Sequence, residues 1–253
     1  MDRLSGKVAI VTGGSKGIGA AIAKKLASEG AAVVVNYASS QTEADAVVSA
    51  IEEAGGRAVA IKGDVSKAED ARAIVDAAIE TYGRLDILVN NAGKYEFAGL
   101  AGITEQHFHT LMNINVLGLL LVTQAAAAHM SQGGSIINIG ASITTMKLPT
   151  SSVYAASKSA VETITGVLAK ELGGKGIRIN SVNPGPTETE GSANIRRGSG
   201  DGSNNDSGGG LIAQTPLGRI GQPDDIAKVA LFLASDESGW ITGDVIVASG
   251  GLQ

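Results

Sequence analysis

Cysteine is absent from this 253-residue chain, which excludes disulfides and thiolate metal sites and is compatible with the cytoplasm. No run of lysine or arginine stands out either. With 25 acidic against 20 basic residues the formal charge is −5, and the Arg196-Arg197 pair is too short to form an electrostatic footprint for nucleic acid. Also missing is a long uninterrupted apolar run: the most apolar window, Ile114 to Ala128, contains Asn115, Gly118, Thr123 and Gln124. The start, Met1 to Lys7, is too polar for a secretory signal. A soluble protein with no membrane partner is expected. No linker divides the chain, so one domain spanning 1–253 is the better count, and a chain of this length can bury about three quarters of its unfolded surface.

What is present begins with Lys7 to Ala20, KVAIVTGGSKGIGA. Val8 to Val11 reads as a strand buried on both faces, and Gly17-Ile18-Gly19 followed by Ala20, Ala21, Ile22, Ala23 and Leu26 reads as the start of a helix. Glycine permits positive φ and close backbone approach, while a helix N-terminus offers unpaired N–H groups to an anion. The stretch therefore suits a diphosphate. An ordinary strand-to-helix turn would show the same glycines, so the context decides.

Apolar runs at Ala31 to Val35, Arg57 to Ile61, Leu85 to Val89, Ser135 to Ile139, Ile177 to Val182 and Val245 to Val247 repeat the strand signal. Helical segments fall between them: one to about Ala54, then Lys67 to Tyr82, Thr104 to Met130, Ser152 to Leu172 and Asp224 to Ala234. Such alternation predicts an α/β fold, a parallel sheet covered by helices on both faces. Ligands in such sheets bind beyond the carboxyl ends of the strands, where small polar and glycine residues cluster here: Thr12 to Gly19, Asn36 to Ser40, Asp64-Val65, Asn90 to Gly93, Gly140 to Ser142, and Asn183 to Thr189.

Tyr154 and Lys158, four residues apart on a helix, share one face. An adjacent ammonium favours phenolate, so a lowered phenol pKa is expected, giving a group that exchanges a proton with a carbonyl or alcohol oxygen. His107-Phe108-His109 does not make a metal site, since residues two apart diverge on a helix, and no metal is expected. Trp240 reads as a core or interface anchor.

The ordered set Thr12-Gly13-x-x-x-Gly17-x-Gly19, Asn90-Asn91-Ala92-Gly93, Asn115, Tyr154-x-x-x-Lys158 and Pro184-Gly185 resembles the short-chain dehydrogenase/reductase superfamily over nearly the whole chain. The closest flavour is that of 3-oxoacyl thioester reductases and glucose 1-dehydrogenase-like members. The resemblance implies a Rossmann-type doubly wound sheet of about seven strands, hydride transfer between a nicotinamide cofactor and a carbonyl/alcohol pair, and commonly a homotetramer. It makes Tyr154 the general acid or base, has Lys158 hold the nicotinamide ribose and depress the tyrosine pKa, and gives Asn115 a relay water. The substrate-orienting serine belongs thirteen residues before the tyrosine, where this chain has Ala141; Ser142, twelve before, is assigned the role through a local rearrangement.

Cofactor contacts are expected from Gly13, Ser15, Lys16, Gly17, Ile18 and Gly19 in the glycine turn, and from Asn36, Tyr37, Ala38 and Ser39 after the second strand. Asp64 and Val65 would lie at the adenine, and Asn91, Ala92 and Gly93 along the adenosine side. Pro184, Gly185, Thr187 and Thr189 would meet the carboxamide, with Tyr154 and Lys158 beside the ring. An acid after the second strand would repel a 2′-phosphate. This strand ends in Asn36 instead, with Lys16, Ser39 and Ser40 nearby, so NADP(H) is expected over NAD(H). The substrate would be a small carbonyl or alcohol, of the 3-oxoacyl thioester or general ketone type. A sugar dehydrogenase and a non-catalytic nucleotide-binding module are the alternatives. Residues 189–214 would form a substrate lid, within which Gly198 to Gly210, all Gly, Ser, Asn or Asp, would span roughly 20 Å as a flexible coil.

Overall fold

The computed structural model describes residues 2–190 and 207–252. Its strands are β1 (Val8–Val11), β2 (Ala32–Tyr37), β3 (Arg57–Lys62), β4 (Ile87–Asn90), β5 (Ser135–Ile139), β6 (Arg178–Pro184) and β7 (Val245–Ala248). All neighbours pair in parallel, in the order β3-β2-β1-β4-β5-β6-β7. The chain winds outward from β1 to β3, returns to the middle, and winds outward the other way from β4 to β7. This is the parallel sheet that the alternation of apolar runs predicts, in the doubly wound, Rossmann-type form of seven strands that the family resemblance implies.

Alternate residues of one strand serve opposite faces. Val33 and Val35 of β2 join Ile22 and Leu26 of α1 (Gly17–Ala27), Val47 of α2 (Gln41–Glu53) and Leu231 of the helix Pro223–Ala234. Val34, between them, joins Ile10, Ile74 of α3 (Ala68–Tyr82), Val122 and Leu172 on the other side. Two aliphatic layers thus hold the sheet, and β1, β2, β4 and β5 are buried throughout.

The helix expected over Thr104 to Met130 is interrupted. Thr104 caps α4 (Glu105–Met112) by accepting from the His107 N–H at 3.1 Å; a π turn, Asn113–Gly118, follows, then α5 (Leu119–His129). Gly118 lies so close to Val65 that a Cβ there would sit 2.7 Å from its Cγ2. The whole stretch Glu105–His129 is long and apolar enough to cross a membrane by length and composition, yet Leu111, Val122 and Ala126 spend that apolarity on packing inside the fold. A short helix α6 (Ile143–Met146) precedes α7 (Ser152–Leu172).

Strand ends differ from expectation mainly by extension: β2 runs two residues past Val35, and β6 two past Val182, because neighbouring strands continue to offer partners. Of the glycine-rich segment expected as coil, residues 207–210 belong to a helix, Ser207–Gln214, which is continuous with the apolar turn Leu211-Ile212-Ala213. Its remainder, and most of the expected lid, lie outside the described residues.

Candidate active site

A cleft of about 460 Å³ opens beyond the carboxyl ends of β1, β4, β5 and β6, at the point where strand order reverses between β1 and β4. Gly13, Lys16, Gly17, Ile18 and Gly19 form one wall, Asn91, Ala92 and Gly93 another, and Tyr154, Lys158, Pro184, Gly185, Thr187 and Thr189 the far end. Residues spread over more than 170 positions of sequence are therefore brought together, as the motif spacing requires.

The glycine turn is shaped for an anion. Gly13 and Gly17 have φ of 59° and 51°, and Gly19 packs so tightly that a Cβ would lie 2.4 Å from both Asn91 Nδ2 and the Gly13 carbonyl. No side chain caps α1, and its first turn carries no acid, so its leading N–H groups face the cleft uncompensated. The turn is fixed from behind: Asn91 Nδ2 donates to the Thr12 and Gly13 carbonyls at 2.9 and 3.0 Å, and the Thr12 hydroxyl accepts from the N–H groups of Asn91 and Ala92. These residues fit a diphosphate.

Several expected contacts lie outside the wall of this cleft. Asn36 is buried, its Oδ1 accepting from the Gly13 N–H at 3.2 Å and its Nδ2 donating to the Gly63 carbonyl at 3.0 Å, so it props the turn instead of facing a ligand. Tyr37 is buried as the last residue of β2. Ser15, Ala38 and Ser39 are outside the cleft wall, Ala38 and Ser39 on open surface at the end of β2. Asp64 turns onto Ser66, accepting from its N–H and hydroxyl at 3.0 and 2.7 Å, and Val65 packs against Gly118. Lys16 lines the cleft but pairs with Glu43 at 2.8 Å.

At the far end, Lys158 is buried and Nζ donates to the Ile139 carbonyl at 2.7 Å. Burial pushes its ammonium down to about 8, and burial pushes the Tyr154 phenol up to about 12, the Tyr95 hydroxyl adding to that rise. The expected lowering of the phenol is thus reversed: desolvation outweighs any help from an ammonium that gives its hydrogen bond to the backbone. Asn115 is fully engaged as well. Its Oδ1 accepts from the Lys94 N–H at 2.8 Å, and its Nδ2 donates to the Lys94 carbonyl at 2.8 Å and to Ser157 Oγ at 3.0 Å. It braces the loop after β4, and a Cβ on Gly93 would lie 3.4 Å from its Oδ1 and 3.5 Å from Lys158 Nζ.

Ser142 does not take the place assigned to it. Its N–H donates to the Pro184 carbonyl at 2.9 Å, its carbonyl opens α6, and its buried hydroxyl points at Met146 Sδ, 3.5 Å away. Ala141 lines the cleft at that level. Sequence reasoning missed Lys94, Tyr95 and Phe97, which also line it. The Tyr95 and Phe97 rings meet Tyr154 edge-on, with centroids 6.3 and 6.0 Å away. Two rings directly after the Asn90 to Gly93 motif, in a chain only 3% aromatic, were the available signal.

A family model described as Enoyl-(Acyl carrier protein) reductase matches residues 13–253. An uncharacterized oxidoreductase of Methylorubrum extorquens is 56% identical, with all of both chains covered. Elsinochrome reductase 1 of Elsinoe fawcettii is 41% identical over 98% of this chain and 95% of its own length. A short-chain dehydrogenase from Burkholderia cenocepacia solved in complex with NADP superposes with a TM-score of 0.90 at 39% identity, covering 99% of each chain.

Proposed function

The chain belongs to the short-chain dehydrogenase/reductase family of oxidoreductases, and from that premise we propose that it is an NADP(H)-dependent ketoreductase of small carbonyl compounds. The observation that carries the reading is one cleft holding both the uncapped glycine turn and the Tyr154–Lys158 pair. When bound, the dinucleotide supplies the hydride that adds to the carbonyl carbon. Tyr154 delivers the proton to the carbonyl oxygen as the C=O electron pair moves onto it. Burial keeps that phenol in its protonated form at neutral pH, so the proton is in place when the carbonyl arrives. Lys158, beside Gly93, holds the nicotinamide ribose, and Asn115 fixes the loop that carries Gly93 and Lys94.

NADP(H) is supported by the lack of any acid at the end of β2 and by Lys16 at the cleft edge. A 2′-phosphate would have to draw Lys16 from Glu43, an exposed pair of small worth. The aromatic wall of Tyr95 and Phe97 suits a ketone or an acyl thioester better than a polyhydroxylated sugar. We place the working enzyme in an assembly of identical chains, a tetramer by family habit.

Tyr154→Phe is the test. Ketone reduction followed by NADPH absorbance should fall about 10²- to 10⁴-fold, with NADPH binding by fluorescence titration retained. Unchanged turnover would sink the reading, and higher kcat/KM with NADH than with NADPH would sink the cofactor preference.

A further inference from the structure

We propose that Tyr95 supplies the second hydrogen bond to the substrate's carbonyl oxygen, the place left unfilled by Ala141 and by the inward-turned Ser142. The inference rests on the ketoreductase reading above. A carbonyl oxygen gains negative charge as hydride adds, and donors aimed at it before reaction stabilise that charge. Tyr154 is one donor. Lys158 Nζ donates to the Ile139 carbonyl and is assigned to the ribose, the Thr187 hydroxyl donates to the Gly185 carbonyl at 2.9 Å, and the buried Ser142 hydroxyl faces Met146 Sδ.

Tyr95 remains. It lines the cleft, its ring packs edge-on against Tyr154 at 66°, and it is 38% exposed on the cleft side of the loop after β4. Among the described residues no hydrogen bond ties down its hydroxyl. Its backbone is also held: the preceding residue, Lys94, has both N–H and C=O bound by the buried amide of Asn115. The Lys94–Glu96 ion pair at 2.7 Å straddles it. Tyr95 is thus a fixed phenol beside the proton donor, and it acts without losing its proton.

The experiment compares Tyr95→Phe, Ala141→Ser and the double variant, with 1-tetralone, ethyl acetoacetate and an acetoacetyl thioester as probes. For the fastest of these, Tyr95→Phe should lower kcat by about 10-fold or more with KM moving less, since the ring and its packing stay. The Kd of the product alcohol in the presence of NADPH, read calorimetrically, should weaken several-fold. Ala141→Ser should restore most of the lost kcat in the Tyr95→Phe background, because it returns a hydroxyl to the vacant wall. Unchanged kcat and alcohol affinity in Tyr95→Phe overturn the proposal while leaving the ketoreductase reading intact. A loss that Ala141→Ser does not mend also overturns it, marking Tyr95 as a packing residue. A wild-type protein that reduces none of the probes fells the ketoreductase reading and this inference with it.

Discussion

Lys158 carries a cost that the fold tolerates. Its ammonium is buried, so its pKa is about 8 in the folded chain against an ordinary value of 10.5. Between those values the unfolded chain binds more protons than the folded one, so this residue's contribution to stability rises with pH from about 8 to 10.5 and is lost as pH falls through 8. Lys158→Met should therefore raise the thermal midpoint at pH 7 relative to wild type, and the gain should shrink between pH 8 and 10.5. A gain independent of pH would mean that the lysine is not desolvated. Tyr154 and Lys158 were legible from the ordered set of motifs, not from their spacing alone, and their electrostatics were not legible at all, because burial depth is a tertiary property. Ser142 failed for a local reason: α6 starts on its carbonyl, and that turn fixes which way the hydroxyl goes.

At the scale of elements, β1, the glycine turn and α1 were readable because a buried strand, a sterically forced glycine set and an apolar helix face leave separate marks in sequence. The partners that lock the turn were not, since Asn36 looks like a ligand contact until the sheet places it behind the turn, and nothing in the sequence shows that Asn91, which does line the cleft, also holds the Thr12 and Gly13 carbonyls. The π turn left no periodic signal either; it accommodates Asn115 against Lys94 and Gly118 against Val65 within an otherwise regular helical run. Gly19→Ala tests the turn. A methyl group 2.4 Å from Asn91 Nδ2 would displace the amide that holds the Thr12 and Gly13 carbonyls. Losing those bonds costs about 1–3 kcal/mol, and each kcal/mol shifts the midpoint of a chain this size by about 2–4 °C. NADPH affinity by fluorescence titration should fall at least about tenfold, as one 1.4 kcal/mol step implies. Retained affinity would remove the turn as the phosphate seat.

For the whole molecule, a parallel sheet covered on both faces follows from the alternation of strands and helices, whereas the molecule's outer contacts follow from nothing local. Trp240 shows this. As the chain's single tryptophan it reads as a core or interface anchor, and the structure leaves it fully exposed, which overturns the core reading. Isolated apolar side chains on a surface are ordinary, but a wholly exposed indole is the residue most enriched where one protein seats another. Leu120 on α5 and Val167 on α7 are also exposed, and α7 packs beside the π turn that leads into α5. If identical chains assemble, part of this surface is covered. Light scattering should then give a multiple of the 25.4 kDa chain mass, and Trp240 emission should be blue-shifted and protected from acrylamide. Dilution below the assembly threshold should release both together. A 25.4 kDa species with freely quenched emission at every concentration would show that the chain works alone, with Trp240 in water.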